Sequence, residues 1–113
     1  MAFQETSTVL GSPVSYRLAP SAKRYTLRDN GFTETKGGNF QLIRPLEATP
    51  QSNEGFKLKI TVDKEIKTLK MSVTTANGLK AVNIFKDTHN DLLQEKFFFL
   101  MDGFISRGLF EKV

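Results

Sequence analysis

The sequence predicts an α+β fold: a curved antiparallel sheet packed on a long C-terminal helix. Two strands show it by strict alternation. Phe56, Leu58, Ile60 and Val62 interleave with Lys57, Lys59 and Thr61, and Leu69, Met71 and Val73 interleave with Lys70, Ser72 and Thr74. Successive side chains of a strand point to opposite faces, so each run has one apolar and one polar side. The third observation lies between Asp91 and Arg107, where Leu93, Phe97, Leu100 and Phe104 recur at helical spacing. Strands in series closed by one long helix favour a helix held against one face of an antiparallel sheet.

The elements follow in order. Residues 1–11 carry the weakest pattern and read as a loose arm. From Ser12 to Ala19, Val14, Tyr16 and Leu18 alternate with polar neighbours, which makes a strand. Pro20 suits a first helical position, and 21–30 reads as a short helix. Its stop is the sharper signal. Asn30-Gly31-Phe32 puts glycine where a left-handed cap is needed, with Leu27 and Phe32 spaced for the contact of a Schellman motif. The competing reading makes Arg24 to Arg28 a strand that turns at Asp29-Asn30-Gly31. Lys36-Gly37-Gly38-Asn39 is turn chemistry, and 40–47 is a strand whose Pro45 belongs at an edge or bulge, because proline cannot donate to a ladder. A polar loop fills 48–55. Asp63-Lys64-Glu65 turns between the two clearest strands, and Asn77-Gly78 marks a hairpin into 79–85.

The last helix opens at Thr88, with Asp91 three residues on as a carboxylate cap partner, and stops at Gly108. Leu92, Phe98, Phe99, Met101 and Ile105 flank its central apolar line. The apolar arc is wider than the stripe of an ordinary surface helix. A strongly curved sheet must embrace it, or a flank at Phe98 or Phe99 must meet a partner.

Several chemistries are excluded. The 113 residues contain no cysteine and one histidine, His89. There is no thiol nucleophile, no Cys-ligated zinc or iron–sulfur site, and no multi-histidine metal site within one chain. No cofactor is expected. His89 stands beside Asp87 and Asp91 and could in principle work as an acid–base pair, but a helix start disfavours a charged imidazole, so a surface or capping role is the simpler reading. Lys36-Gly37-Gly38 lacks the spacing and following helix of a phosphate loop. No segment is long and apolar enough for a membrane span, and the first residues do not look like a secretory leader, so a cytoplasmic single domain over 1–113 is expected.

The formal net charge is +4 and unevenly spread. Residues 55–86 hold seven lysines against Asp63 and Glu65, while residues 87–113 hold three bases against five acids. Lys57, Lys59 and Lys70 are expected to share the outer sheet face. Such a face can attract phosphate or an acidic protein. It also serves as plain solvated strand surface that discourages aggregation. Thr61, Ser72 and Thr74 lie between the lysines, and the phenylalanines are expected to point inward. That leaves no stacking platform for single-stranded nucleic acid.

Tyr25-Thr26-Leu27-Arg28 running into Gly31-Phe32-Thr33-Glu34-Thr35, then Gly38-Asn39-Phe40, Arg44-Pro45-Leu46-Glu47 and the Phe-rich last helix, resembles a family known as domain of unknown function 1831, small proteins of lactic acid bacteria. The resemblance covers nearly the whole chain. It implies a fold like that of the TATA-box-binding protein with order β-α-β-β-β-β-α, the order read above. It also implies a setting in amino-acid metabolism beside cysteine desulfurases. It carries no catalytic residues, and the fold name does not imply DNA binding.

The functional expectation is a non-enzymatic accessory domain that binds another protein, with a cysteine desulfurase as partner on the strength of the resemblance. Without cysteine the chain cannot carry a persulfide, so it would act there as a binder or regulator. The alternatives are a nucleic-acid-binding module using the lysine face, and a carrier of a small apolar ligand between sheet and helix around Phe97-Phe98-Phe99. A monomer or weak homodimer is expected.

Overall fold

The computed structural model describes residues 3–9, 11–46, 56–75, 80–85 and 91–113. The order is β1 (Thr6–Ser7), β2 (Tyr16–Leu18), α1 (Arg24–Asp29), β3 (Thr33–Glu34), β4 (Phe40–Leu46), β5 (Phe56–Val62), β6 (Leu69–Thr74), α2 (Asp91–Ser106) and β7 (Phe110–Lys112). The fold is α+β. One antiparallel sheet runs β3-β4-β5-β6 and a second runs β1-β2-β7. Three short strands, β1, β3 and β7, join those expected from alternation. The expected strand at 79–85 is reduced, within the described residues, to a bridge between Ala81 and Thr74. The Asn77-Gly78 turn and the Thr88 cap lie outside the described residues.

Register puts the alternating side chains to use. Leu42 faces Ile60, which faces Met71, and Leu58 faces Val73. All five are buried, and with Phe40 and Leu46 they form the inner face of the larger sheet. Burial of that much apolar surface is the main favourable term for the fold. Pro45 pairs in register with Lys57. β3 covers β4 only at Phe40 and Gln41, so the proline sits where β4 has no further described strand beside it. That is the place a residue without an N–H is tolerated.

The turn from β5 to β6 is larger than the three residues expected. Asp63 N–H donates to Thr68 C=O, and the Asp63 carboxylate accepts the N–H groups of Lys67 and Thr68 at 2.8 and 2.9 Å. Partial burial would raise this carboxyl, but the backbone donors of Thr68, Lys67 and Glu65 outweigh it and hold Asp63 below the ordinary carboxylate value.

The start of the chain corrects the expectation of a loose arm. Gln4 exchanges two backbone hydrogen bonds with Leu69, and Met71 N–H donates to Ser7 Oγ at 3.2 Å. Farther along, Val82 N–H donates to Val73 C=O. The outer edge of β6 is thereby occupied from Leu69 to Val73, which removes a template for edge-to-edge pairing. Thr6 and Ser7 also pair with Arg17 and Tyr16, so the same few residues sew the smaller sheet to the larger. The two sheets together embrace α2, as its wide apolar arc requires.

The helix reading of residues 24–29 prevails over the hairpin. Gly31 adopts φ +93°, Gly31 N–H donates to Arg28 C=O, and Phe32 N–H donates to Leu27 C=O. This is the bonding of a Schellman cap, with Leu27 and Phe32 both buried. The start is shorter than expected. Pro20 is not the first helical residue but sits inside a turn closed by Ala22 N–H on Ala19 C=O, where its fixed φ suits the second position. α2 ends in the same way. Gly108 has φ +81°, Gly108 N–H reaches Ile105 C=O, and Leu109 N–H reaches Phe104 C=O. The chain then turns directly into β7.

Leu93, Phe97, Met101 and Phe104 are the buried residues of α2. Met101 therefore replaces Leu100 on the central line, and Leu100 is only partly buried. Tyr16, Phe32, Phe97, Phe104 and Phe110 meet through edge-on ring contacts with centroids 5.8–6.5 Å apart, as quadrupoles prefer. This packing fills the described layer between helix and sheet and gives no support to an apolar ligand chamber there.

Candidate functional site

Three consecutive phenylalanines on α2 have three environments. Phe97 is fully buried. Phe98 is half-buried and packs against Phe85, with centroids 5.6 Å apart. Phe99 is 76% exposed. Of the pair expected as an apolar flank, Phe98 belongs to the rim of the core, and Phe99 stands in the open. Leu92, seven residues before Phe99 and so on the same helix face, is 59% exposed. Leu100 and Gly103 line a shallow groove of about 290 Å³ next to Phe99. On one side of this stripe run Glu95 and Asp102, both exposed, with Asp102 3.6 Å from the Lys112 ammonium. Lys96 and Arg107 flank the other side.

The larger sheet presents the second surface. Lys57 lies opposite Thr74, Lys59 opposite Ser72, and Lys70 opposite Thr61. The three lysines thus occupy one face of β5 and β6. Lys59 is exposed, whereas Lys57 and Lys70 are half-buried. Ile43, opposite Lys59 on β4, is 50% exposed and gives this face an apolar centre. One expectation fails here: not every phenylalanine points inward. The Lys70 ammonium sits 4.8 Å from the centroid of the Phe3 ring, so the N-terminal segment brings an aromatic to this face and engages one of its cations.

A third feature was not visible in the sequence. The C-terminal cap residues of the two helices, Asn30 and Arg107, meet although 77 positions apart, with Arg107 Nε donating to Asn30 Oδ1. Asn30 is buried, and its amide is oriented by Nδ2 donating to Thr26 C=O at 2.7 Å. The Arg107 guanidinium lies over the Phe104 ring at 5.4 Å. A Cβ at position 103 would come within 3.2 Å of Arg107 Nη2, so Gly103 makes room for it. The junction borders a groove of about 450 Å³ that also touches Tyr25 and Asp29. Both cap residues precede a glycine, and that pairing is the only sequence signal they share.

Tyr16 is fully buried, and its hydroxyl has no partner among the described residues. Burial, with a smaller contribution from the Asp102 charge, pushes this phenol up to about 12. His89 and Asp87 lie outside the described residues, so the acid–base pair weighed for them has no described geometry. Among the described residues no group of three or more His, Asp or Glu is placed to hold a metal ion, and no helix is long and apolar enough to cross a membrane.

This geometry has a close counterpart. A crystal structure of a DUF1831 family protein from Lactobacillus plantarum, at 1.20 Å resolution, superposes with a TM-score of 0.89 at 34% sequence identity, covering 100% of this chain and 99% of that one. Residues 1–111 match the DUF1831 family, described as "Putative amino acid metabolism". The chain belongs to the DUF1831 family. No curated protein matches it. Family membership accounts for the architecture, while the family's description points only to amino-acid metabolism and assigns no residue a task. Within a DUF1831 fold, the surfaces above are what remains to distinguish one role from another.

Proposed function

We propose that this DUF1831 protein is a non-enzymatic accessory domain of amino-acid metabolism that docks on another protein through the outward face of α2. The observation that carries the reading is Phe99. A phenyl ring 76% exposed at the middle of a well-packed helix, with Leu92 at 59% on the same face, is apolar surface that folding leaves unused. Aromatic anchors of this kind dominate protein interfaces, and the charged residues around the stripe supply the polar rim that such interfaces carry. The partner we assign is a cysteine desulfurase, by the resemblance of the chain's motifs to proteins that accompany those enzymes. With no cysteine to accept sulfur, the chain acts there by contact. Size-exclusion chromatography of the purified protein mixed with the purified desulfurase checks this. Co-migration at micromolar concentrations is expected, and separate elution would reject the assignment.

One observation favours a second reading. Lys57 and Lys59 share a face and make no ion pair among the described residues, which suits a polyanion. Phosphate contacts make binding strongly salt-dependent. If nucleic acid is the target, affinity falls steeply with salt, and changing Lys57, Lys59 and Lys70 to alanine abolishes it. Salt-independent or absent binding rejects that reading.

A further inference from the structure

From the groove at the helix-cap junction, we infer that this protein binds a free α-amino acid, with the carboxylate on Arg107 and the ammonium toward Asp29. Arg107 is held in place by its neighbours. Its Nε is taken by Asn30, its guanidinium lies over the Phe104 ring, and Gly103 leaves the room it occupies. Asn30 is itself buried and locked onto Thr26. A buried asparagine spent on aiming an arginine is an investment in the direction of the guanidinium. The two terminal nitrogens of Arg107 have no acceptor among the described residues, and they border the groove. A planar fork of this kind accepts a carboxylate through two parallel hydrogen bonds.

The rest of the lining selects among anions. Tyr25 and Asp29 are four residues apart on α1, hence on one side of it, and both are exposed along the same groove. Asp29 forms no ion pair among the described residues, with Arg107 or with any other base. A phosphate would meet Asp29 as a like charge. A zwitterion instead satisfies both ends, since its ammonium neutralises Asp29 while its carboxylate takes Arg107. The Tyr25 ring, 67% exposed, offers an apolar and π surface to the ammonium or the side chain. The groove's volume of about 450 Å³ lies within the usual range for small-molecule sites. Ser21 also lines the groove, with its hydroxyl donating to Gly108 C=O at 3.1 Å.

Arg107 also lines the groove beside Phe99, but the amino-acid site lies on the side bordered by Tyr25 and Asp29, and its test needs no protein partner. The test is a titration followed by amide chemical shifts, using L-alanine and L-phenylalanine as probes, with propionate and inorganic phosphate as comparisons. Saturable shifts at residues 25–31 and 106–109 are expected for the amino acids at millimolar concentrations or below. Arg107→Gln should weaken them about tenfold or more, as loss of a charge-assisted pair does. Arg107→Lys should weaken them too, because a lysine lacks the fork, and that variant keeps the charge. Asp29→Asn should weaken amino acids and leave propionate unaffected. Three results overturn the inference: no saturable shift with either amino acid, equal binding of propionate or phosphate, or unchanged binding in both Arg107 variants.

Discussion

Phe97 and Phe99 are the same residue two positions apart on one helix, and they do opposite things. Phe97 is completely buried and makes edge-on contacts with Tyr16, Phe85 and Phe98. Phe99 faces away from the sheet and has no ring partner among the described residues. The embrace of the two sheets stops partway around α2. The difference teaches that the wide apolar arc of this helix is two surfaces. One is used in folding, and the other is left exposed.

Four substitutions break or sharpen that comparison, from the largest effect to the smallest. Phe97→Ala should destabilise the protein by about 3–5 kcal/mol, the usual cost of removing a buried phenyl ring. Chemical denaturation measures it, and a loss below about 1 kcal/mol would mean the inner surface is not packed as described. Gly108→Ala should cost about 1–2 kcal/mol, because an L residue resists the left-handed cap at φ +81° and its Cβ would press on Ser21 Oγ at 3.2 Å. That cap aims Leu109 and Phe110 into the core, so an unchanged midpoint would show that the turn into β7 matters less than it looks.

The third concerns Tyr16, which lies against Phe97. Its phenol is raised above the value it has in an unfolded chain, so its contribution to stability is fully present below pH 10 and is lost as pH rises toward 12. Wild-type stability should therefore fall on this alkaline limb more steeply than that of Tyr16→Phe, in denaturation measured over that range. Parallel curves for the two proteins would contradict the burial of the hydroxyl. The smallest effect on stability belongs to Phe99→Lys, within about 0.5 kcal/mol of wild type, as for most exposed positions. The new lysine has Glu95 four residues before it and Asp102 three after, both at pairing distance on a helix. A large loss would place Phe99 in the core.

The fold was readable where chemistry repeats. β5 and β6 were visible because seven- and six-residue strands with one buried face cannot avoid alternation. The end of α1 was visible because a left-handed cap demands a glycine, which Gly31 supplies. Strands of two or three residues carry no period, so β1, β3 and β7 were invisible: pairing made across the chain creates them, as Tyr16 opposite Lys112 does. The exchange of Leu100 for Met101 on the buried line has a similar cause. The helix presents apolar residues on so many sides that only the position of the second sheet decides which of them is innermost. The candidate surfaces divide in the same way. The shared face of Lys57, Lys59 and Lys70 follows from strand period alone, whereas Phe3 beside Lys70 and Asn30 beside Arg107 are contacts between distant segments that no local pattern encodes.

The central claim is that Phe99 is held out for a partner, and calorimetric titration of the desulfurase with wild-type and Phe99→Lys protein of matched thermal stability tests it most directly. The account predicts micromolar or tighter binding by the wild type and a loss of at least about 2 kcal/mol, the level of an interface hot spot, in the variant. Equal affinity of the two proteins, or no heat from either, would contradict it.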